Sequence, residues 1–192
     1  MQALGQGHSV TAFVRNPGTL SIVDERLRVV VGDTTGDAST VAQVVSGHDM
    51  VVSALGRGKS FRSDHLIERS MVAIVPSMAR AGVRRLILVS ALGVGHSRRY
   101  APLIPRIMFR VLLSAIFADK KAGEDRVRSS SLEWTIVCPG LLTDGPLTGN
   151  YRVGGRLELH GMPKISRADV AHFILSEAAN RAFIRKTALV SY

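Results

Sequence analysis

The apolar positions of this chain fall into short runs that alternate with segments of helical spacing. Ser9–Arg15, Arg28–Asp33, Met50–Leu55, Arg85–Ser90 and Trp134–Cys138 each read as a strand, and Lys186–Ser191 reads as a last one. Most of these runs are continuously apolar, without the alternation of a half-exposed strand, as expected of strands covered on both faces. Between them, Ala38–Ser46 carries Val41, Val44 and Val45 and stops at Gly47. Leu66–Ala81 sets Ile67, Met71, Ile74, Val75 and Met78 on one helical face and stops at Gly82. Asp119–Ser130 is a charged helix leading into the fifth strand. Ser166 and Asp169 have capping-box spacing ahead of an apolar helix containing Val170, Phe173 and Ile174. Strand–helix alternation at this spacing predicts an α/β fold with a parallel sheet and right-handed crossovers. The length of 192 residues predicts one domain, 1–192.

Several strand ends, taken in order, resemble one family. They are Gly7–Pro17, Val31–Thr34, Asp49–Gly56, Leu88–Ala91, Leu132–Gly140, Asp144–Tyr151 and Ile165–Ala171. Together they resemble the atypical short-chain dehydrogenase/reductases that bind NAD(P)H, the group of NmrA-like proteins and of the biliverdin reductase B (flavin reductase) type. The resemblance implies a Rossmann-like, doubly wound, mostly parallel sheet with strand order 3-2-1-4-5-6. Such proteins open with a strand and a G-x-x-G-x-x-G turn. Here Gln2–Gly7 resembles only the end of the helix that follows, and Gly5 and Gly7 neither follow a strand nor open a helix. The expected sheet is therefore N-terminally truncated. It lacks its first strand and has a gap between the strands at 9–15 and 50–55, with unpaired backbone on both sides. We expect the natural chain to start upstream of Met1; the other reading is a compromised fold.

The resemblance also implies site residues. Arg15 ends a strand where the family reads the adenosine ribose, and a basic residue there suits the 2′-phosphate of NADP(H) rather than the 2′-hydroxyl of NAD(H). Asp33 and Thr34 would approach the adenine, with a turn aspartate as the plainer reading of Asp33. Ala54, Leu55 and Gly56 would line the adenosine side. Ser90 matches the family's active-site serine. Lys120, with Glu124 four residues on, would touch the nicotinamide ribose, although Lys121 leaves the assignment open to a slip. Pro139, Gly140 and Leu141 would form an apolar wall by the nicotinamide. Ile116 stands where the family's tyrosine acid would fall, which argues against alcohol and ketone chemistry. Ser90 and Lys120 remain as candidate catalytic residues.

Composition narrows the picture. Cys138 is the only cysteine, which excludes an internal disulfide and fits the cytoplasm; it reads as a small buried hydrophobe. The histidines have no metal-ligand spacing. The net charge of +10 is spread along the chain and aromatics are only 5%, so a nucleic-acid stacking platform is poorly supplied. The N-terminus has no signal-peptide pattern, and no run is long enough to span a membrane. Segment 98–117, apolar with basic punctuation, reads as a lid or buried helix, with peripheral contact to an anionic membrane as the alternative. His172 reads as packing.

These features predict an NADPH-dependent reductase of a small planar acceptor such as a flavin, quinone or tetrapyrrole. The alternatives are an NmrA-like NAD(P) sensor without catalysis, or a truncated form that does not bind the dinucleotide.

Overall fold

A computed structural model describes residues 1–36, 38–56, 64–100 and 114–192. The strands are β1 (Val10–Val14), β2 (Leu27–Val31), β3 (Met50–Ser53), β4 (Arg85–Val89), β5 (Glu133–Pro139), β6 (Leu141–Thr143), β7 (Arg152–Gly154), β8 (Lys164–Ser166) and β9 (Lys186–Ser191). The helices are α1 (Gln2–Gly5), α2 (Ala38–Val45), α3 (Leu66–Ala81), α4 (Ser114–Arg128) and α5 (Arg167–Asn180).

The main sheet has the order β3-β4-β5-β9-β7. Its first four strands are parallel and β7 closes it antiparallel to β9. Both faces are covered. Leu86 and Leu88 of β4 point into a core with Val41 of α2, Met71 and Met78 of α3 and Val127 of α4. Ile87, between them, points the other way, toward Val170, Phe173 and Ile174 of α5. Successive side chains of a strand face opposite sides, so a run that is apolar at every position needs a helical layer on each face. Each such side chain contributes roughly 1.5–3 kcal/mol on burial.

β1 and β2 form a separate parallel pair, with Val10 opposite Leu27 and Val14 opposite Val31. The expected break between the 9–15 and 50–55 strands is thus present: among the described residues β1 pairs only with β2 and β3 only with β4. Just before β3, His48 Nε2 lies 2.9 Å from Thr11 Oγ1 of β1, so the two sheets meet near their N-terminal ends. Double coverage does not extend to β2, where Val29 and Val31 are 40% and 59% exposed. An unbroken apolar run therefore does not mean two covered faces at the margin of a fold.

The three-residue strands β6, β7 and β8 carry no apolar run and escape sequence reading. β6 and β8 pair in parallel apart from the main sheet. Gly140 sits where they approach: a Cβ there would stand 2.7 Å from the Pro163 carbonyl oxygen. α4 begins at Ser114, five residues before the start expected at Asp119. α5 begins as expected, with Asp169 N–H donating to Ser166 Oγ over 2.9 Å. The Ser166 N–H is met by the Tyr192 hydroxyl rather than by Asp169. Of segment 98–117, residues 101–113 lie outside the described residues. Among the described residues no helix is long and apolar enough to cross a membrane.

Candidate functional site

The C-terminal ends of parallel strands collect the candidate residues on one edge, where α/β sheets bind ligands. Arg15 follows β1 and is exposed; Asp33 and Thr34 follow β2. Asp33 forms a turn, its Oδ1 accepting from the Thr35 N–H and the Thr35 hydroxyl, each at 2.8 Å. The backbone bond, then the hydroxyl, hold its carboxyl below the ordinary range against the opposing effect of burial, with Arg15 and Arg69 adding to the pull. Arg15 and Asp33 thus share one electrostatic neighbourhood. Thr34 Oγ1 is 2.6 Å from Ser70 Oγ, which ties this loop to α3. Ala54, Leu55 and Gly56 leave β3 with Ala54 and Gly56 exposed. Beside them Ser53 Oγ is buried without a hydrogen-bond partner among the described residues.

On the other half of the edge, Ser90 leaves β4 and donates a 2.6 Å hydrogen bond to Glu124 Oε1. Both residues are buried. The second oxygen, Glu124 Oε2, is 3.4 Å from Arg128 Nη2. Lys120, Glu124 and Arg128 stand at i, i+4 and i+8 on α4, one face of a helix. That face is fixed by two contacts with α3. Asp119 accepts from the Ile67 and Glu68 N–H groups at 3.1 and 2.9 Å, occupying free donors of the α3 N-terminus. Gly123 lets the helices close, since a Cβ there would be 2.6 Å from Ile67 Cγ2. Burial pushes the Lys120 ammonium down, opposed by Cys138, Glu124 and Asp119. Cys138 is buried, and its thiol is pushed up to about 12, first by burial and then by Glu124, which suits a packing role rather than a nucleophile. Pro139 ends β5, Gly140 is held against Pro163, and Leu141 is 49% exposed at the start of β6.

Sequence reading missed Asp119, Arg128 and the Asp169 cluster. The i, i+4, i+8 spacing was a signal for Arg128; the other two depend on contacts distant in sequence. His172 packs as expected, edge-on to Tyr151, with its Nδ1 2.6 Å from the Tyr151 hydroxyl.

A dinucleotide can be tested against these residues. The Arg15–Asp33 end presents an exposed cation and turn groups. The Ser90–Lys120 end presents a hydroxyl and a half-buried ammonium beside an apolar wall. Between them lie the broken sheet and the orphaned Ser53 hydroxyl. Among the described residues no glycine turn follows a strand there: Gly5 ends α1 and Gly7, at φ +87°, comes after it.

The model of a family described as NAD(P)H-binding matches residues 1–181. An uncharacterized sugar epimerase, YhfK of Bacillus subtilis, is 28% identical over 185 residues, covering 92% of this chain and 81% of the relative. The anaerobilin reductase ChuY of Escherichia coli O157:H7 superposes with a TM-score of 0.79 at 25% identity, covering 99% of this chain and 87% of that one. A short-chain dehydrogenase/reductase of Veillonella parvula, solved with NADP, shares the fold with a TM-score of 0.78 at 22% identity, covering 96% and 82%. With its family match spanning nearly the whole length and its Rossmann-type sheet, this chain belongs to the NAD(P)H-binding family.

Proposed function

We propose that residues 1–192 form a single NAD(P)-binding domain that reduces a small planar acceptor, such as a flavin, quinone or tetrapyrrole, with NADPH preferred over NADH. The observation that carries this reading is the Ser90–Glu124 bond at the end of β4, one turn of α4 away from Lys120. Likeness to the anaerobilin reductase supports the reductase class.

Arg15 gives the 2′-phosphate a cation, and Asp33, Thr34 and residues 54–56 flank the adenosine. Lys120 reaches the nicotinamide ribose, and Pro139, Gly140 and Leu141 keep water from one side of the ring. NAD(P)H, when bound, supplies the hydride. Ser90 has its proton committed to Glu124, so its oxygen accepts, and it orients a donor on the acceptor molecule or on the nicotinamide amide. With isoleucine at position 116, no tyrosine acid stands in the family's place. A flavin or quinone takes its proton from water, so alignment is the main requirement. The buried Cys138 fits a reducing compartment such as the cytoplasm.

NADPH oxidation by the full chain, with a flavin mononucleotide acceptor, tests the proposal. Turnover that falls in Ser90→Ala supports it. Tight NADP binding without turnover on flavin, quinone or tetrapyrrole would instead favour the NmrA-like sensor. The separation of β1–β2 from the main sheet favours a third outcome, in which neither NADPH nor NADH binds.

A further inference from the structure

Beside the loop that follows Ser90, a cavity of about 550 Å³ opens between the 95–100 turn, the end of α4 and the start of β9. Its lining includes His96, Arg99, Arg128, Arg185 and Lys186, and no carboxylate. Arg128 has Glu124 as a counter-charge, but no carboxylate among the described residues pairs Arg99, Arg185 or Lys186, and like charges so gathered repel. Such a cluster persists at lower cost when an anion fills it. The chain's net charge of +10 makes the same demand on a larger scale.

Arg128 is the informative member. Among the described residues its hydrogen bonds both leave from Nη2, to Glu124 Oε2 and at 2.7 Å to Thr187 Oγ1. Its Nε is buried with no hydrogen-bond partner among the described residues. The guanidinium thus carries more donors than its bonds use, and an anion in the cavity can accept from those left accessible. The guanidinium also lies over Trp134, 5.2 Å from the ring centroid. Tyr100 and Phe183 add apolar wall for the body of an organic ligand.

We propose that this cavity binds a soluble small molecule bearing a phosphate or pyrophosphate group, held by Arg128, Arg99 and Lys186. Because Arg128 also touches Glu124, the bound anion competes with that carboxylate and connects the cavity to the Ser90–Glu124 pair. The lining shares no residue with those proposed for the dinucleotide, so the site stands whether or not NADPH binds.

Trp134 is the chain's only tryptophan, so its fluorescence reports on the Arg128 stack directly. Inorganic pyrophosphate titrated into the full chain at constant ionic strength is expected to give a saturable change in that fluorescence. Lys186→Glu and Arg99→Glu alter exposed side chains and are each expected to weaken the response at least about tenfold, the loss of one charge-assisted contact. Arg80→Glu, the same charge change in the exposed last turn of α3, is expected to leave it intact. A change that matches sodium chloride at equal ionic strength, that fails to saturate at millimolar pyrophosphate, or that falls equally in Arg80→Glu overturns the proposal.

Discussion

The Ser90 hydroxyl donates to Glu124 across 2.6 Å, joining the end of β4 to the middle of α4 inside the protein. The bond fixes the serine rotamer and commits its proton, so its oxygen can act only as an acceptor. Ser90→Ala removes that acceptor. Glu124→Gln keeps the shape but offers an amide that can reverse the bond. Both are expected to lower kcat by about ten- to hundredfold, the cost of a misaligned reacting pair, with little change in KM for NADPH. Steady-state kinetics with a flavin acceptor separates the two parameters. An unchanged kcat in Ser90→Ala would remove the serine from the site.

Arg15 is exposed beside Asp33, so its replacement should cost little stability. Arg15→Glu is expected to weaken NADPH binding by at least about tenfold, because charge-assisted bonds to the 2′-phosphate are lost and a repulsion is added. NADH binding should hardly change. Calorimetric titration of the two cofactors gives the ratio directly, and an equal loss for both would refute the 2′-phosphate assignment.

Asp169 is fully buried and gathers the Thr148 and Gly149 N–H groups and the Thr148 and Tyr192 hydroxyls. Burial acts to raise its pKa, but the bonds from Tyr192, Gly149 and Thr148 together outweigh it and hold the carboxyl far below its ordinary value of 3.8. A depressed folded-state pKa stabilises fully above the unfolded value and is lost as pH falls toward the folded one. The native chain should therefore lose this stability below about pH 4. Asp169→Asn is expected to cost about 2–4 kcal/mol at neutral pH and to flatten the acid limb. Urea melts across that range, followed by circular dichroism, measure both effects.

Arg85 and Glu177 form an ion pair at 2.9 Å with side chains 5% and 1% exposed. Glu177 also accepts from Thr135 Oγ1 and from the Ala182 and Phe183 N–H groups, tying α5 to the turn before β9. Glu177→Ala leaves a buried guanidinium and these donors without their acceptor. The expected loss is about 3–5 kcal/mol, read as a lower urea midpoint. A loss below about 1 kcal/mol would mean that Arg85 finds water or another acceptor.

The sequence alone determined most of the frame. β4, β9 and α3 fall within a residue of where their apolar patterns place them, because a strand or helix buried in a core must carry that pattern. It also determined the order of the strand ends that define the family, and the candidates Arg15, Asp33, Ser90 and Lys120 at them. The tertiary structure decided what those residues touch. Glu124 receives the Ser90 proton because Asp119 and Gly123 set how α4 lies against α3, and neither contact is local in sequence. Exposure of Val29 and Val31 was likewise illegible, since an apolar run records what a strand can bury and not whether a neighbour is there to cover it. The cationic cavity at Arg128 joins residues 96 to 187 from different segments. Charges scattered along a chain become a site only when folding brings them to one place.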